Sequence, residues 1–180
     1  MSLFIKNLHQ LKKSQEMVAI GRRYVSDHTS FAQIRGFSDF LIQITEYDRI
    51  GRYAGISVFY QDDVSELFWE TPECRFLQKN ASLRTLFEIP ELRLQSLSAA
   101  IEDLGKRFGT VLFWNDSEQT HVRGEVLDVD EEWVEIRQTD EGSGKSFENL
   151  IRLGLVTRIQ ADAQEFREQS KSRPKILARI

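Results

Sequence analysis

The stretch His121–Gln160, HVRGEVLDVDEEWVEIRQTDEGSGKSFENLIRLGLVTRIQ, decides how the chain is read. An alternating run (Val122, Gly124, Val126) passes through the acidic residues Asp128 to Glu132 into Trp133-Val134-Glu135-Ile136. A polar tip from Asp140 to Lys145 follows, then a return run and a short apolar end at Val156 and Ile159. Period-two alternation interrupted by turn residues marks strands of a small antiparallel meander, because successive side chains of a strand face opposite sides.

Working outward, a shift of 92 positions lays this stretch on the first half of the chain. Ile136 falls on Ile44, Asp140 on Asp48, Trp133 on Leu41, Leu150 on Val58, Val156 on Val64, Ile159 on Leu67 and Gly124 on Ala32. The apolar phases agree with no gap, which predicts two copies of one unit. The first copy reads as a short helix over Phe4–Lys13. Strands follow at Met17–Tyr24, Phe31–Phe37, Phe40–Thr45, Tyr53–Tyr60 and Val64–Trp69, with turns at 47–51 and 61–63. Thr71–Pro90 connects the copies; Leu83, Leu86 and Phe87 have helical spacing, which predicts a packed connection. Glu91–Phe108 carries an apolar stripe (Leu92, Leu94, Leu97, Ala100, Ile101, Leu104, Phe108) and predicts the second copy's helix, stopped by Gly109. Thr110–Trp114 then precedes the meander. Ala163–Lys171 has helical character, and Arg167–Arg179 holds five basic residues against Glu168, a tail that reads as mobile or partner-dependent. The expected organisation is a first unit at 1–72, a linker at 73–90, a second unit at 91–163 and a tail at 164–180.

Composition bounds the function. With 180 residues, 41% of them hydrophobic and only three prolines, the chain can bury real cores. The formal net charge of -4 supplies no global basic field for nucleic acid. A single cysteine, Cys74, excludes an intrachain disulfide and fits a reducing compartment. Lys6 interrupts the N-terminal apolar residues at once, so no signal-peptide core is present, and no run approaches the roughly 18 apolar residues of a membrane span. The expectation is a cytoplasmic protein that does not enter membranes.

Val122–Ile136 (VRGEVLDVDEEWVEI) and Leu155–Ile159 (LVTRI) carry a resemblance to the Sm-like (Lsm/Hfq) small barrel. In that family, Gly-x-Val-x-x-x-Asp before an apolar strand makes the bent second and third strands; Gly124, Val126, Asp130 and Val134 match. The resemblance implies a mainly β fold with short helices, as tandem Sm-like/SH3-like small barrels, each a helix followed by about five antiparallel strands. It also implies ring-type pairing through strands four and five, here Tyr53–Tyr60 with Val64–Trp69 and Phe147–Leu153 with Leu155–Ile159, and hence a homo-oligomer through strand edges. RNA-holding Sm proteins have an Asn-containing loop after strand two and a Gly-bearing basic turn after strand four. This chain has Val129-Asp130-Glu131-Glu132 at the first site and Gln61-Asp62-Asp63 at the first half's second site, both acidic. Only Arg152 and Gly154 are carried over as RNA contacts.

The residues themselves offer further candidates. Arg22 and Arg23, with Lys12, Lys13, Arg49 and Arg52, are a candidate basic face, interleaved with Tyr24, Tyr47 and Tyr53 for base stacking. Asp128, Asp130, Glu131 and Glu132, extended by Glu135, form a candidate protein-binding face or a solvated turn; residues 115–150 hold eleven acids against three bases. Gly142-Ser143-Gly144-Lys145-Ser146 is like a phosphate loop, but Thr139 stands where the pattern needs glycine. Cys74 and the histidines His9, His28 and His121 have no spacing that makes a nucleophile–base pair or a metal set. No catalytic residue, metal or cofactor is assigned. The leading expectation is a non-catalytic macromolecule-binding protein whose partner is RNA, or alternatively a basic protein met by an acidic, inhibitor- or immunity-type surface. A nucleotide-dependent enzyme is the third.

Overall fold

A computed structural model describes residues 2–23, 30–81, 89–140 and 142–161. It is mainly β with three short helices, in the order α1 (Leu3–Ser14), β1 (Val18–Arg22), β2 (Ser30–Phe37), β3 (Leu41–Tyr47), β4 (Tyr53–Tyr60), β5 (Val64–Trp69), α2 (Pro72–Ala81), α3 (Leu97–Phe108), β6 (Thr110–Asn115), β7 (Thr120–Val129), β8 (Trp133–Thr139), β9 (Ser146–Arg152) and β10 (Arg158–Ala161). Single 3-10 turns at Gln61–Asp63 and Leu153–Leu155 precede β5 and β10. Strands form at the other expected places and the 61–63 turn is present, but the last strand, expected at Leu155–Ile159, begins only at Arg158, because Leu153–Leu155 form a 3-10 turn. Tyr24, His28, Leu83, Leu86, Phe87 and the expected tail helix lie outside the described residues.

All ten strands share one open antiparallel sheet, in the order β5-β1-β2-β3-β4-β10-β6-β7-β8-β9. This differs from two separate closed barrels. β10 pairs with β4 on one side and β6 on the other, with Ile159 opposite Val58 and Phe113. Leu41, Ile56 and Val58 of the first half lie in one buried cluster with Ile101, Leu104, Phe113 and Ile159 of the second. A second cluster is confined to the first half, where Leu8 and Leu11 of α1 cover Val18, Ile20, Ile34, Ile42, Ile44 and Phe59.

The lateral order is the same in both halves: 5-1-2-3-4, then 10-6-7-8-9. The registers correspond as well. Ile34 pairs with Ile44 and Gly36 with Gln43, with an irregularity between them. Val126 pairs with Ile136 and Asp128 with Glu135, with the same irregularity (136 − 44 = 92). Such a bulge bends its strand and adds twist. The gap-free shift needs correcting in one place. The buried helical residues Leu8 and Leu11 have their counterparts in Ile101 and Leu104, and Val18 opposite Ala32 has its counterpart in Val111 opposite Gly124. These first elements correspond at 93 (104 − 11 = 93), and the one-residue difference falls between the first and second strands of each half.

Local chemistry sets the helix ends. The Ser2 hydroxyl accepts from the Ile5 N–H, and the Ser96 hydroxyl from the Ala99 N–H at 3.1 Å. The second helix thus starts at Leu97, not at Glu91. Leu92 and Leu94 belong to a segment laid across the sheet: the Leu92 N–H and the Pro90 carbonyl both bond the buried Gln43 amide. Gly109 ends α3 with φ +74°, a conformation that costs glycine little. α2 occupies the expected linker, and its Cys74, Leu77 and Ala81 are buried with Met17, Ala19 and Tyr47.

Gly124 lies where β7 crosses close to Ile136 of β8. A Cβ there would sit 2.7 Å from Ile136 Cδ1 and 2.8 Å from Ile136 Cβ. Gly124→Ala is therefore expected to lower stability by about 1–3 kcal/mol through overpacking. Adding Ile136→Val should recover part of the loss in urea unfolding; equal stability of Gly124→Ala and wild type would contradict the crossing.

Candidate binding surface

Each half carries a pair of adjoining turns built by the same hydrogen bonds. In the first half, the Ser38 N–H donates to the Leu41 carbonyl (2.9 Å) and the Gln61 N–H to the Phe40 carbonyl (2.7 Å). In the second, the Asp130 N–H donates to the Trp133 carbonyl (2.9 Å) and the Leu153 N–H to the Glu132 carbonyl (2.8 Å). All four residues of each bond pair are 92 apart. The capping side chains correspond too. Ser38 Oγ accepts from the N–H groups of Phe40 and Leu41; Asp130 Oδ1 accepts from those of Glu132 and Trp133, both at 2.7 Å. Those two N–H groups hold the Asp130 carboxyl below its usual range. Asp130, expected as a partner contact, therefore also holds the turn's shape.

The turns are exposed and acidic. Asp39, Asp62, Asp130, Glu131 and Glu132 face solvent, and Arg152 is the lone basic residue within 38–41, 60–63, 130–133 and 152–155. Large apolar side chains stand beside them: Phe40 is 67% exposed, Trp133 40% and Leu155 58%. Trp133 lies opposite Arg152 across β8 and β9. Arg152 and Gly154 are thus brought beside Glu131 and Glu132 by the strand pairing. Asp128 is exposed on the approach to the turn.

Arg22 and Arg52, expected on one basic face, are each held by a carboxylate of their own. Arg22 is 6% exposed, and its Nη1 lies 2.7 Å from Asp116 Oδ2, a partner 94 residues away. Its guanidinium stacks over Phe59. Arg52 and Tyr53 stand at the other end of β4, six residues from Phe59 and about 20 Å away along an extended strand. Arg52 is itself bonded to Asp48 at 2.6 Å. Tyr47 is buried, with its hydroxyl donating to Gln33, and burial pushes that hydroxyl's pKa up. Arg23 is exposed next to the buried Arg22.

Where β4 meets β10, sequence reasoning missed a buried polar cluster. Asp116 accepts from Arg22 and from the Thr157 hydroxyl (2.7 Å). Glu46 accepts from Arg158 Nη1 (3.2 Å) and Gln160 (2.8 Å), and Arg158 lies 4.4 Å over the Trp114 ring. Burial lowers the Arg22 pKa, and the like charge of Arg158 adds to this; Asp116 and Glu46 oppose it. Burial likewise raises the Asp63 carboxyl, with Arg22 pulling the other way. No local motif announces such a cluster, because its members come from four separate strands and turns.

The remaining candidates resolve locally. The Gly142–Lys145 loop is the hairpin tip between β8 and β9, and no helix follows it. Its Gly142 and Ser143 N–H groups point at the Asp140 carboxylate, so the N–H cradle that a phosphate loop needs is turned inward. Cys74 is buried in α2, His9 packs edge-on against Phe37 and His121 against Trp114, so these groups sit on separate elements. Among the described residues, no three His, Cys, Asp or Glu side chains come together in a metal-holding group, and no helix is long and apolar enough to cross a membrane. No family model matches the chain, and no curated protein or solved structure matches it.

Proposed function

We propose that the chain is a non-catalytic binding protein of two Sm-like units in tandem, 1–72 and 91–163, and that its acidic turns engage a basic segment of a protein partner. The observation that carries this reading is the pair of turn assemblies with the same hydrogen bonds 92 residues apart. Support for the unit comes from the shared helix-plus-five-strand order and the shared bulge. The partner class follows from charge. Five exposed carboxylates beside Phe40, Trp133 and Leu155 attract cationic side chains and offer apolar surface for their stems. Phosphate would be repelled there, and two of the arginines first read as RNA contacts are taken up by Asp116 and Asp48.

Fluorescence anisotropy with a labelled Arg/Lys-rich peptide tests this. Glu131→Lys with Glu132→Lys is expected to weaken binding about tenfold, or ~1.4 kcal/mol, while Asp130 is left in place to hold the turn. Equal peptide affinity in wild type and variant overturns the reading. Tighter binding of single-stranded RNA than of peptide, falling steeply as salt rises from about 50 to 200 mM, replaces it with the RNA alternative.

A further inference from the structure

β10 brings the two acidic turn assemblies to one rim. It pairs antiparallel with β4, with Phe59 opposite Arg158. The Gln61–Asp63 turn follows β4 and the Leu153–Leu155 turn precedes β10, so both stand at the same end of this pair. Backbone hydrogen bonds tie Phe40 to the first of these turns and Glu132 to the second. The carboxylates of Asp39, Asp62, Asp130, Glu131 and Glu132 and the exposed side chains of Phe40, Trp133 and Leu155 therefore share one surface.

The same strand delivers the chain that follows it. Ala161 is six residues beyond Leu155 (161 − 155 = 6) and so lies within about 20 Å of it. The described residues stop at Ala161, and the sequence runs on to Ile180. From Gln169 to Ile180 it holds Lys171, Arg173, Lys175 and Arg179 and no acid, with Ile176, Leu177 and Ile180 set among the last of these cations. Cations with apolar neighbours complement carboxylates with apolar neighbours. Ten residues separate Ala161 from Lys171 (171 − 161 = 10) and can span up to about 35 Å, so the length reaches the rim. A segment tethered so near its site is present there at an effective concentration of about 1 mM, whatever the protein concentration.

We infer that residues 171–180 dock on the acidic turns of their own chain, so that a partner's basic segment binds only by displacing them. This rests on the turns being a surface for basic segments, as proposed above, and adds the regulation of that surface. The tethered segment competes with every incoming cationic peptide and sets a threshold affinity that a partner must exceed. Neutralising the segment's cations frees the turns without altering them.

The test is fluorescence anisotropy on the full chain, with a labelled peptide of the sequence of residues 170–180, SKSRPKILARI, as the probe. A full-chain variant carrying Lys171→Gln, Arg173→Gln, Lys175→Gln and Arg179→Gln is expected to bind the peptide about tenfold more tightly than wild type, with an unchanged thermal melt. That factor follows from an effective concentration of about 1 mM set against an intrinsic affinity of about 0.1 mM. Adding Glu131→Lys and Glu132→Lys to this variant is expected to remove the gain. In wild type, a zero-length carbodiimide cross-link is expected to join Lys171 or Lys175 to Glu131 or Glu132 within one chain. Equal peptide affinity of wild type and the glutamine variant overturns the docking and leaves the turns as a binding surface. Peptide affinity of the glutamine variant that Glu131→Lys and Glu132→Lys leave unchanged overturns the surface and the docking together. A cross-link that forms only between isotope-labelled and unlabelled chains in a mixture assigns the segment to a second copy and overturns docking within the chain.

Discussion

Replacement of Asp116 by alanine is expected to lower the free energy of unfolding by about 3–5 kcal/mol, the usual cost of removing one partner from a buried ion pair. The Arg22 and Asp116 side chains are 5% and 9% exposed. Without Asp116, the Arg22 guanidinium stays in the interior with Arg158 pressing on it as a like charge. Glu46 is already engaged by Arg158 and Gln160 and offers partial compensation. The Thr157 hydroxyl loses its shorter acceptor and keeps only the Trp114 carbonyl at 3.2 Å. A second replacement separates the causes: Arg22→Met removes the stranded charge and keeps apolar contact with Phe59. The double variant should therefore be more stable than Asp116→Ala alone in urea unfolding. A loss below about 1 kcal/mol for Asp116→Ala would show that the pair behaves like an exposed one.

Ile159→Ala is expected to cost about 2–5 kcal/mol, the range for truncating a fully buried aliphatic side chain. Its larger consequence is where the loss is felt. Ile159 is fully buried between Val58 of the first half and Phe113 of the second. The cluster it belongs to includes Leu41 and Ile56 as well as Ile101 and Leu104. Amide exchange should therefore accelerate in β3 and β4 together with β6 and β7. Acceleration confined to the second half would mean two cores that unfold independently, and the continuous sheet would lose its energetic meaning.

Much of the architecture is legible without coordinates because it depends on neighbours in the chain. Tyr53–Tyr60 and Val64–Trp69 form strands at the expected bounds: β-branched and aromatic residues dominate them, and a tight acidic turn separates them. Gly109 ends its helix for a steric reason that any sequence reader can apply. The start of that helix is not legible in the apolar stripe, which Leu92 and Leu94 also suit; the capping hydroxyl of Ser96 decides the boundary. The shift of 92 was visible as apolar phase, but the extra residue was not. It falls between the first two strands of each half, outside the strand pairings whose registers correspond.

The candidate surface divides the same way. That the turn after β7 is acidic was plain from Asp130-Glu131-Glu132; that Arg152 and Gly154 stand beside it depends on β8 and β9 pairing Trp133 with Arg152. Arg22 has no sequence signal of burial, because arginine is almost never fully buried unless paired, and its partner Asp116 is 94 residues away.

By itself the sequence determined the strands, the turns and the acidic character of the rim, since each is settled by propensity, periodicity and charge within about ten residues. Only the tertiary structure decided that β10 lies between β4 and β6 and joins the two halves in one open sheet. It alone turned Arg22 inward to Asp116 and Arg158 to Glu46, 94 and 112 residues away. Pairings at that separation are set by which apolar faces are buried together, and the charges then settle on the partners that burial leaves within reach.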